Sequence, residues 1–420
     1  MKIFKLLTII LIFIYPMYAD EYIEQDENKE IESNWNYFGE FKTYFTKIHK
    51  VKEKVGIENY NELMNYNSLQ LSIDYYDDGF YFSVTPYAYI YFTESDDKIV
   101  NTNFSTPFKS KDFFFRTLYI SYTIDKFTIG AGVLPLSNSF PMQYTNDYYQ
   151  DGEGLNILAD RDPLALFIKY KFSDTNQLLA GIGVINIEYI PVGTYVNEHN
   201  VDDSYGTFLT QTITNDKFKI INDFKFSNIS YDGVELGKIY SIGTGISWDD
   251  SEYSGWTFYN TLAFSLYENN SIAVKDKILA NNPKLTPTAM NLFPNSFTFD
   301  NKTYTGAANL FGFRKDLDLF NIESFINFEW FHIFGDWASG NKGAPYNSNS
   351  NQMSNIRNNS YFINYGIRIN ELTTFKINYT YLEFDEIINI GAPSSTPVNE
   401  AFGPQRSSLD IVKVSFSYKF

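Results

Sequence analysis

Apolar and polar residues alternate along most of this chain. At its end, Val412, Val414, Phe416, Tyr418 and Phe420 share one face, and Lys413, Ser415, Ser417 and Lys419 share the other. Period 2 with unlike faces marks a strand lying between two different environments. The pattern recurs upstream. Trp256, Phe258, Leu262, Phe264 and Leu266 oppose Thr257, Tyr259, Thr261, Ala263 and Ser265; Phe320, Ile322, Ile326, Phe328, Trp330 and Phe334 oppose Asn321, Glu323, Asn327 and Glu329. A β-sandwich would bury each apolar face against a second sheet. Here the apolar faces are heavily aromatic and the polar faces carry charge, which fits lipid outside and water inside.

Sixteen such stretches can be read: 34–45, 69–76, 80–92, 113–124, 126–134, 163–172, 176–186, 204–214, 217–228, 238–248, 253–267, 304–314, 317–334, 360–369, 373–384 and 409–420. A count of fourteen or eighteen stays open. Short turns rich in Asp, Asn, Ser and Gly lie at 77–79, 125, 173–175, 215–216, 249–251, 315–316 and 370–371. Between them the connections are mostly long: 46–68, 93–112, 135–162, 187–203, 268–303, 335–359 and 385–408, with only 229–237 short. Tight turns on one rim and long loops on the other are the layout of a transmembrane antiparallel β-barrel with periplasmic turns and extracellular loops. The expected fold class is therefore all-β. An even strand count returns both ends of the barrel to one side.

Composition supports this layout. Aromatic residues make up 19% of the 420, with 34 Tyr and 39 Phe, as a wall with two aromatic girdles requires. The absence of cysteine removes thiolate and disulfide chemistry. At the N-terminus, Lys2 and Lys5 precede a mostly apolar run from Leu6 to Tyr15, and Met17-Tyr18-Ala19 offers a cleavage site. That is a secretory leader over 1–19, and the run is too short to span a bilayer as a helix. Residues 20–33 read as an acidic periplasmic lead-in and 34–420 as the barrel. Loss of Lys2 and Lys5 with the leader takes the 33 basic residues to 31, against 50 acidic, a formal charge of −19. So acidic a chain argues against nucleic acid as a partner.

The terminal strand, with aromatics at alternate positions and a final Phe420, resembles the last strand of Gram-negative outer-membrane barrels, and the sixteen-strand plan resembles the general porins. The resemblance implies that Phe420 is the mark read by the barrel-assembly machinery. It implies an outer-membrane location among lipid and lipopolysaccharide, small hydrophilic solutes as cargo, and an arrangement compatible with a homotrimer. It further implies that the third long loop folds into the lumen. That loop, 135–162, carries Asp147, Asp151, Glu153, Asp160 and Asp162 against Arg161 alone, which makes these five the constriction candidates. Loop 268–303 is longer and competes for the same role.

Alternation assigns charges to the lumen wall: Lys42, Lys169, Lys171, Lys219, Lys225, Arg314, Arg368, Lys376 and Lys413, with the acids Glu40, Asp74, Asp223, Glu323 and Glu329. Fixed charges lining an aqueous pore set ion selectivity. Tyr81, Tyr87, Tyr89 and Tyr91 share one face of the third strand, with Tyr119 on the fourth, and such aromatics either stack on sugar rings or only pack the wall. The pairs Gly130/Gly132, Gly181/Gly183 and Gly243/Gly245 precede no helix, so they are not nucleotide loops; they allow twist or close approach on the lumen side. The histidines are His49, His199 and His332, and only His199, near Asp202 and Asp203, suggests a catalytic pair. Solvated loop residues explain that grouping, so neither enzymatic activity, a cofactor nor a metal is expected.

The expected function is passive diffusion of small hydrophilic solutes and ions with a mild cation preference. The alternatives are a channel selective for sugars, peptides or small anions, and a non-conducting barrel that serves as a surface adhesin or scaffold. The topology is directly testable in a chain without cysteine. Cysteine at Asn282 or Ser348 should react with an impermeant maleimide on intact cells, and cysteine at Asp174 should not. Reversed labelling would overturn the orientation.

Overall fold

In the computed structural model, residues 34–52, 61–95, 111–134, 164–185, 204–231, 234–270, 301–319, 322–335, 356–387 and 407–420 are described, with single positions at 272, 276 and 280. Among them are sixteen strands. They are β1 (Trp35–Lys52), β2 (Asn61–Asp77), β3 (Phe80–Ser95), β4 (Lys111–Ile124), β5 (Phe127–Val133), β6 (Leu164–Ser173), β7 (Asn176–Ile185) and β8 (Ser204–Thr214), then β9 (Phe218–Tyr231), β10 (Val234–Asp250), β11 (Trp256–Asn269), β12 (Thr303–Leu319), β13 (Ile322–Gly335), β14 (Ile356–Arg368), β15 (Thr373–Ile387) and β16 (Ser407–Lys419). Each pairs antiparallel with its neighbours in sequence, and β1 pairs with β16 to close the barrel. The leader and lead-in expected over residues 1–33 lie outside the described residues.

Turn chemistry explains the tight rim. Asp78 (φ 42°), Gly79 (φ 82°) and Asp125 (φ 54°) take left-handed conformations, which Gly, Asp and Asn tolerate best. Two turns differ from expectation. The β12–β13 turn is not at Lys315-Asp316: the ladder continues through Lys315↔Ile326 and Leu317↔Ser324 to Leu319↔Ile322. Lys315, Asp316, Leu317 and Asp318 keep alternating faces, so a charged stretch that reads as a turn stays in the sheet. Likewise Asp249 and Asp250 remain paired with Thr257 and Trp256, and the turn comes after them, closing at Gly255 (φ 73°).

On the other rim the strands run further than alternation shows. β1 and β2 pair out to His49↔Asn61, inside the connection expected over 46–68. β9 and β10 pair out to Val234↔Tyr231, so the loop expected over 229–237 shrinks to two residues. Beyond the bilayer both faces meet water, so the residues lose their alternation while the backbone ladder continues.

Among the described residues one face of the strands turns outward, and it is mostly apolar. Ile124, Ile129, Leu166 and Tyr205 are each more than 60% exposed. Soluble monomers rarely expose apolar patches beyond a few hundred Å²; a wall of this kind is compatible with lipid. Aromatic pairs gather near the short-turn rim, including Trp35–Tyr75 at 4.6 Å, Phe127–Tyr170 at 4.5 Å and Trp256–Phe258 at 5.5 Å between ring centres. Trp330, Tyr361 and Tyr381 occupy the other margin. These are the positions of the two girdles of a membrane barrel.

The seam ends on the last residue. Gly39 N donates to Phe420 O at 2.7 Å, and Phe420 N donates to Gly39 O at 3.0 Å. The Phe420 ring lies over Gly39, where a Cβ would stand 2.2 Å from it. Deleting Phe420 removes the last rung of the closing ladder along with the ring that covers this glycine. The truncated chain should be degraded or held in the periplasm and should lose heat-modifiable gel mobility. Normal outer-membrane yield would show that the terminal aromatic is dispensable.

Candidate functional site

The inner rows are those opposite the apolar ones, and their shape is set by a repeated device. Gly130 faces Phe167 across β5–β6, Gly181 faces Phe208 across β7–β8, Gly312 faces Tyr259 across β11–β12, and Gly366 faces Phe325 across β13–β14. A Cβ at any of these glycines would come within 2.2–2.3 Å of the facing ring. Each ring therefore lies across its neighbouring strand, covering backbone that glycine leaves bare. Among the described residues, the close approach expected at Gly130 and Gly181 is made by these rings.

The wall charges occupy these same rows. Lys42 pairs with Glu40 at 3.1 Å, Arg368 with Glu323 at 2.8 Å, Arg314 with Asp316 at 2.7 Å, and Lys171 with Asp174 at 2.7 Å. In the β6–β7 turn, the hydrogen bond and charge of Lys171 hold the Asp174 carboxyl below its ordinary range, so it stays ionised at neutral pH. The pairs of Arg368 with Glu323 and of Lys171 with Asp174 are exposed, and exposed pairs add little to stability, so they act as fixed charges more than as staples. Lys169 lies on the inner row of β6, and Lys219 and Lys225 lie on that of β9.

Aromatic rings hold several of these cations. The Arg314 guanidinium carbon sits 4.1 Å from the centre of the Phe325 ring, and Lys376 Nζ is 5.8 Å from the same ring. Lys413 Nζ lies 4.0 Å from the Tyr44 ring centre, and that lysine is only 1% exposed. A cation over a ring face is attracted by the ring quadrupole, more strongly when desolvated. The carboxylates are held as well. Tyr259 OH lies 2.5 Å from Glu329 Oε1 and 3.0 Å from Asn327 Oδ1, and all three residues are buried in the wall. Thr210 Oγ1 donates to Asp223 at 2.6 Å. Asn378 Nδ2 donates to Asn364 Oδ1 between β15 and β14. The holding residues Phe325, Tyr259, Tyr44 and Asp316 were absent from the set of wall charges read from the sequence. The parity of the three aromatics was readable, but the partner each one faces depends on cross-strand register; Asp316 was missed because its stretch reads as a turn.

A second sector of the wall is rich in hydroxyls, with Asp74 among them. From Tyr81 to Tyr87 on β3 and Thr117 to Thr123 on β4, the inner row carries hydroxyls and tyrosines. Ser72 and Thr85 hydroxyls are 3.1 Å apart, Thr117 donates to Thr85 at 2.8 Å, and Tyr81 donates to Asp74 at 3.0 Å. The Tyr81 and Tyr119 rings are 5.5 Å apart. Side chains of Tyr89 and Tyr91 lie outside the described residues, as do Asp147, Asp151, Glu153, Asp160, Asp162, His199, Asp202 and Asp203. His332 lies on the outer row of β13, between Trp330 and Phe334.

No family model matches the chain, and no curated protein sequence matches it. Solved structures do. OmpF of Salmonella typhi, in complex with daunomycin, superposes with a TM-score of 0.52 at 10% identity, covering 92% of this chain and 97% of that one. The outer-membrane channel DcaP of Acinetobacter baumannii gives a TM-score of 0.52 at 12% identity, covering 94% of this chain and 99% of that one. Identity this low speaks to the fold alone. With the closed, sequentially paired ring of sixteen strands, an apolar outer wall and a charged inner one, the chain has the antiparallel β-barrel fold of the outer-membrane porins.

Proposed function

We propose that the protein is an outer-membrane porin, a passive diffusion channel for small hydrophilic solutes and ions. The observation that carries this reading is the pairing of an apolar outer wall with inner rows of fixed charge, including Arg314, Arg368, Lys376, Glu323 and Glu329. Such a wall gains nothing from facing lipid or a dry core; it suits water and ions. The chain would lose residues 1–19, be folded by the assembly machinery at Phe420, and sit among lipopolysaccharide as a homo-oligomer, with a trimer as the expected form. No step of chemistry is performed. Size and local electrostatics select what passes.

We further propose a mild cation preference. Its support is the loop 135–162, with five carboxylates against one arginine. Charges at the narrowest point dominate, because screening acts over about 8 Å at physiological salt. The lysines and arginines of the wall oppose this effect. A second reading, a channel that selects sugars, is favoured by the Tyr81–Tyr119 pair beside linked hydroxyls.

Single-channel recording in planar bilayers separates these readings. A diffusion channel gives steady open current, a sugar-selective one is blocked by millimolar oligosaccharide, and a closed scaffold conducts nothing. In a salt gradient, replacing Asp147, Asp151 and Glu153 by their amides should move the reversal potential toward anions. If it stays fixed while R368Q/K376Q moves it strongly, the wall sets selectivity and the loop lies outside the path.

A further inference from the structure

The outer wall is not apolar throughout. Gln211 on β8, Asn222 on β9, Thr244 on β10 and Asn260 on β11 all occupy outward rows. Each is flanked along its strand by apolar neighbours on the same face: Ile213 and Leu209, Ile220 and Phe224, Ile246 and Ile242, Phe258 and Leu262. They are therefore not rim residues. Gln211 lies three residues before the short-turn end of β8, Asn222 four after the start of β9, Thr244 six before the end of β10, and Asn260 four after the start of β11. A tilted strand climbs roughly 2.5 Å per residue, which puts all four about 8–15 Å above that rim, inside the apolar band. By contrast the outward rows of β5 and β6 read Phe127, Ile129, Ala131, Val133 and Leu164, Leu166, Ile168, Tyr170, Phe172, without an amide.

The belt bonds along the sheet without using its full capacity. Asn222 Nδ2 donates to Gln211 Oε1 at 3.3 Å, Thr244 Oγ1 donates to Asn222 Oδ1 at 2.9 Å, Gln211 Nε2 donates to Asn176 Oδ1 at 3.3 Å, and Asn260 Nδ2 donates to Asn309 Oδ1 and to Leu310 O, both at 3.0 Å. A primary amide offers two N–H donors and a carbonyl with two acceptor sites; Gln211 and Asn222 each use one N–H in these bonds, while Asn260 spends its donors on β12 and has its carbonyl left for a partner. Lipid chains supply neither donors nor acceptors, and polar side chains at such depths join protein surfaces to each other.

We propose that the outer face of β8–β11 is the contact surface between copies of this chain, joined through the belt of Gln211, Asn222, Thr244 and Asn260. The proposal deepens the assembly suggested above and rests on the reading of the chain as a membrane barrel. Two features favour a second copy as the occupant. Neutral amides carry donor and acceptor together, so the belt complements itself without like-charge repulsion. Copies inserted in one membrane share an orientation, and a symmetry axis along its normal brings equal depths together. A belt held at one depth on four strands then meets its own equivalent.

The chain has no cysteine, so single cysteines report contact cleanly. N222C and T244C in native membranes should form a disulfide-linked dimer on mild oxidation, and I168C, on the uniformly apolar face, should not. A variant carrying Q211L, N222L, T244V and N260L should drop in light-scattering mass from oligomer to single barrel while keeping heat-modifiable mobility. Cross-linking through Ile168 instead of the belt, an unchanged mass in the four-site variant, or a monomeric parent protein would each overturn the interface. A parent that conducts in bilayers as a monomer overturns this interface alone; an oligomer that cross-links through the belt but conducts nothing overturns the channel reading and leaves the interface standing.

Discussion

A sheet in lipid cannot leave an edge. Hydrocarbon offers no partner for a bare N–H or C=O, and each unsatisfied group costs several kcal/mol. The β1–β16 ladder, from Glu40↔Lys419 outward to Lys52↔Ser408, meets that requirement. Everything else depends on it. Sequential pairing lets short turns join neighbours, and closure separates the surface into two sides that never exchange. Only then can one face of each strand be given to lipid and the other to water. Phe420 takes part directly, since its backbone and that of Gly39 form reciprocal bonds at the end of the seam.

Closure also dictates how the inner wall is built. Neighbouring inward side chains crowd one another on the concave side, and large residues there need room. Glycine facing an aromatic residue solves this repeatedly, with Phe167, Phe208, Tyr259 and Phe325 each lying over Gly130, Gly181, Gly312 and Gly366. The arrangement has an electrostatic consequence at Phe325, whose ring covers Gly366 and also receives Arg314 and Lys376. A packing device thus fixes where two positive charges stand. The same logic places Tyr259 over Gly312 and within hydrogen-bond distance of Glu329.

The wall has a sector rich in hydroxyls and tyrosines on β2–β4, with Asp74 among them, and charged rows on β6, β9, β12–β16 and β1. The β2–β4 side therefore presents mostly hydroxyls and tyrosines, and the other rows mostly fixed charges. The outer wall is divided too, with uninterrupted apolar rows on β5 and β6 and an amide belt on β8–β11. Both divisions arise from single substitutions in rows that otherwise follow the same alternation, and both sort residues by angular position around the barrel.

What the sequence determined by itself was whatever depends on local periodicity. Alternation placed sixteen strands, named their two faces, and put Lys42, Arg314, Arg368, Lys376 and Lys413 on the polar side, because the side-chain direction of a strand repeats every two residues whatever its neighbour does. Asp78-Gly79 and Asp125 announced their turns through the backbone conformations they tolerate. Periodicity failed where both faces see the same medium, so the outer ends of β1, β2, β9 and β10 looked like loops, and it misled at Lys315-Asp316, where charge mimicked a turn. Register was beyond reach. Which glycine lies under Phe325, which ring receives Lys413, and that Gln211, Asn222 and Thr244 stand side by side all depend on how far one strand slides along the next. Closing the barrel constrains those shifts together, because their sum around the whole ring must come to one value before β1 can meet β16.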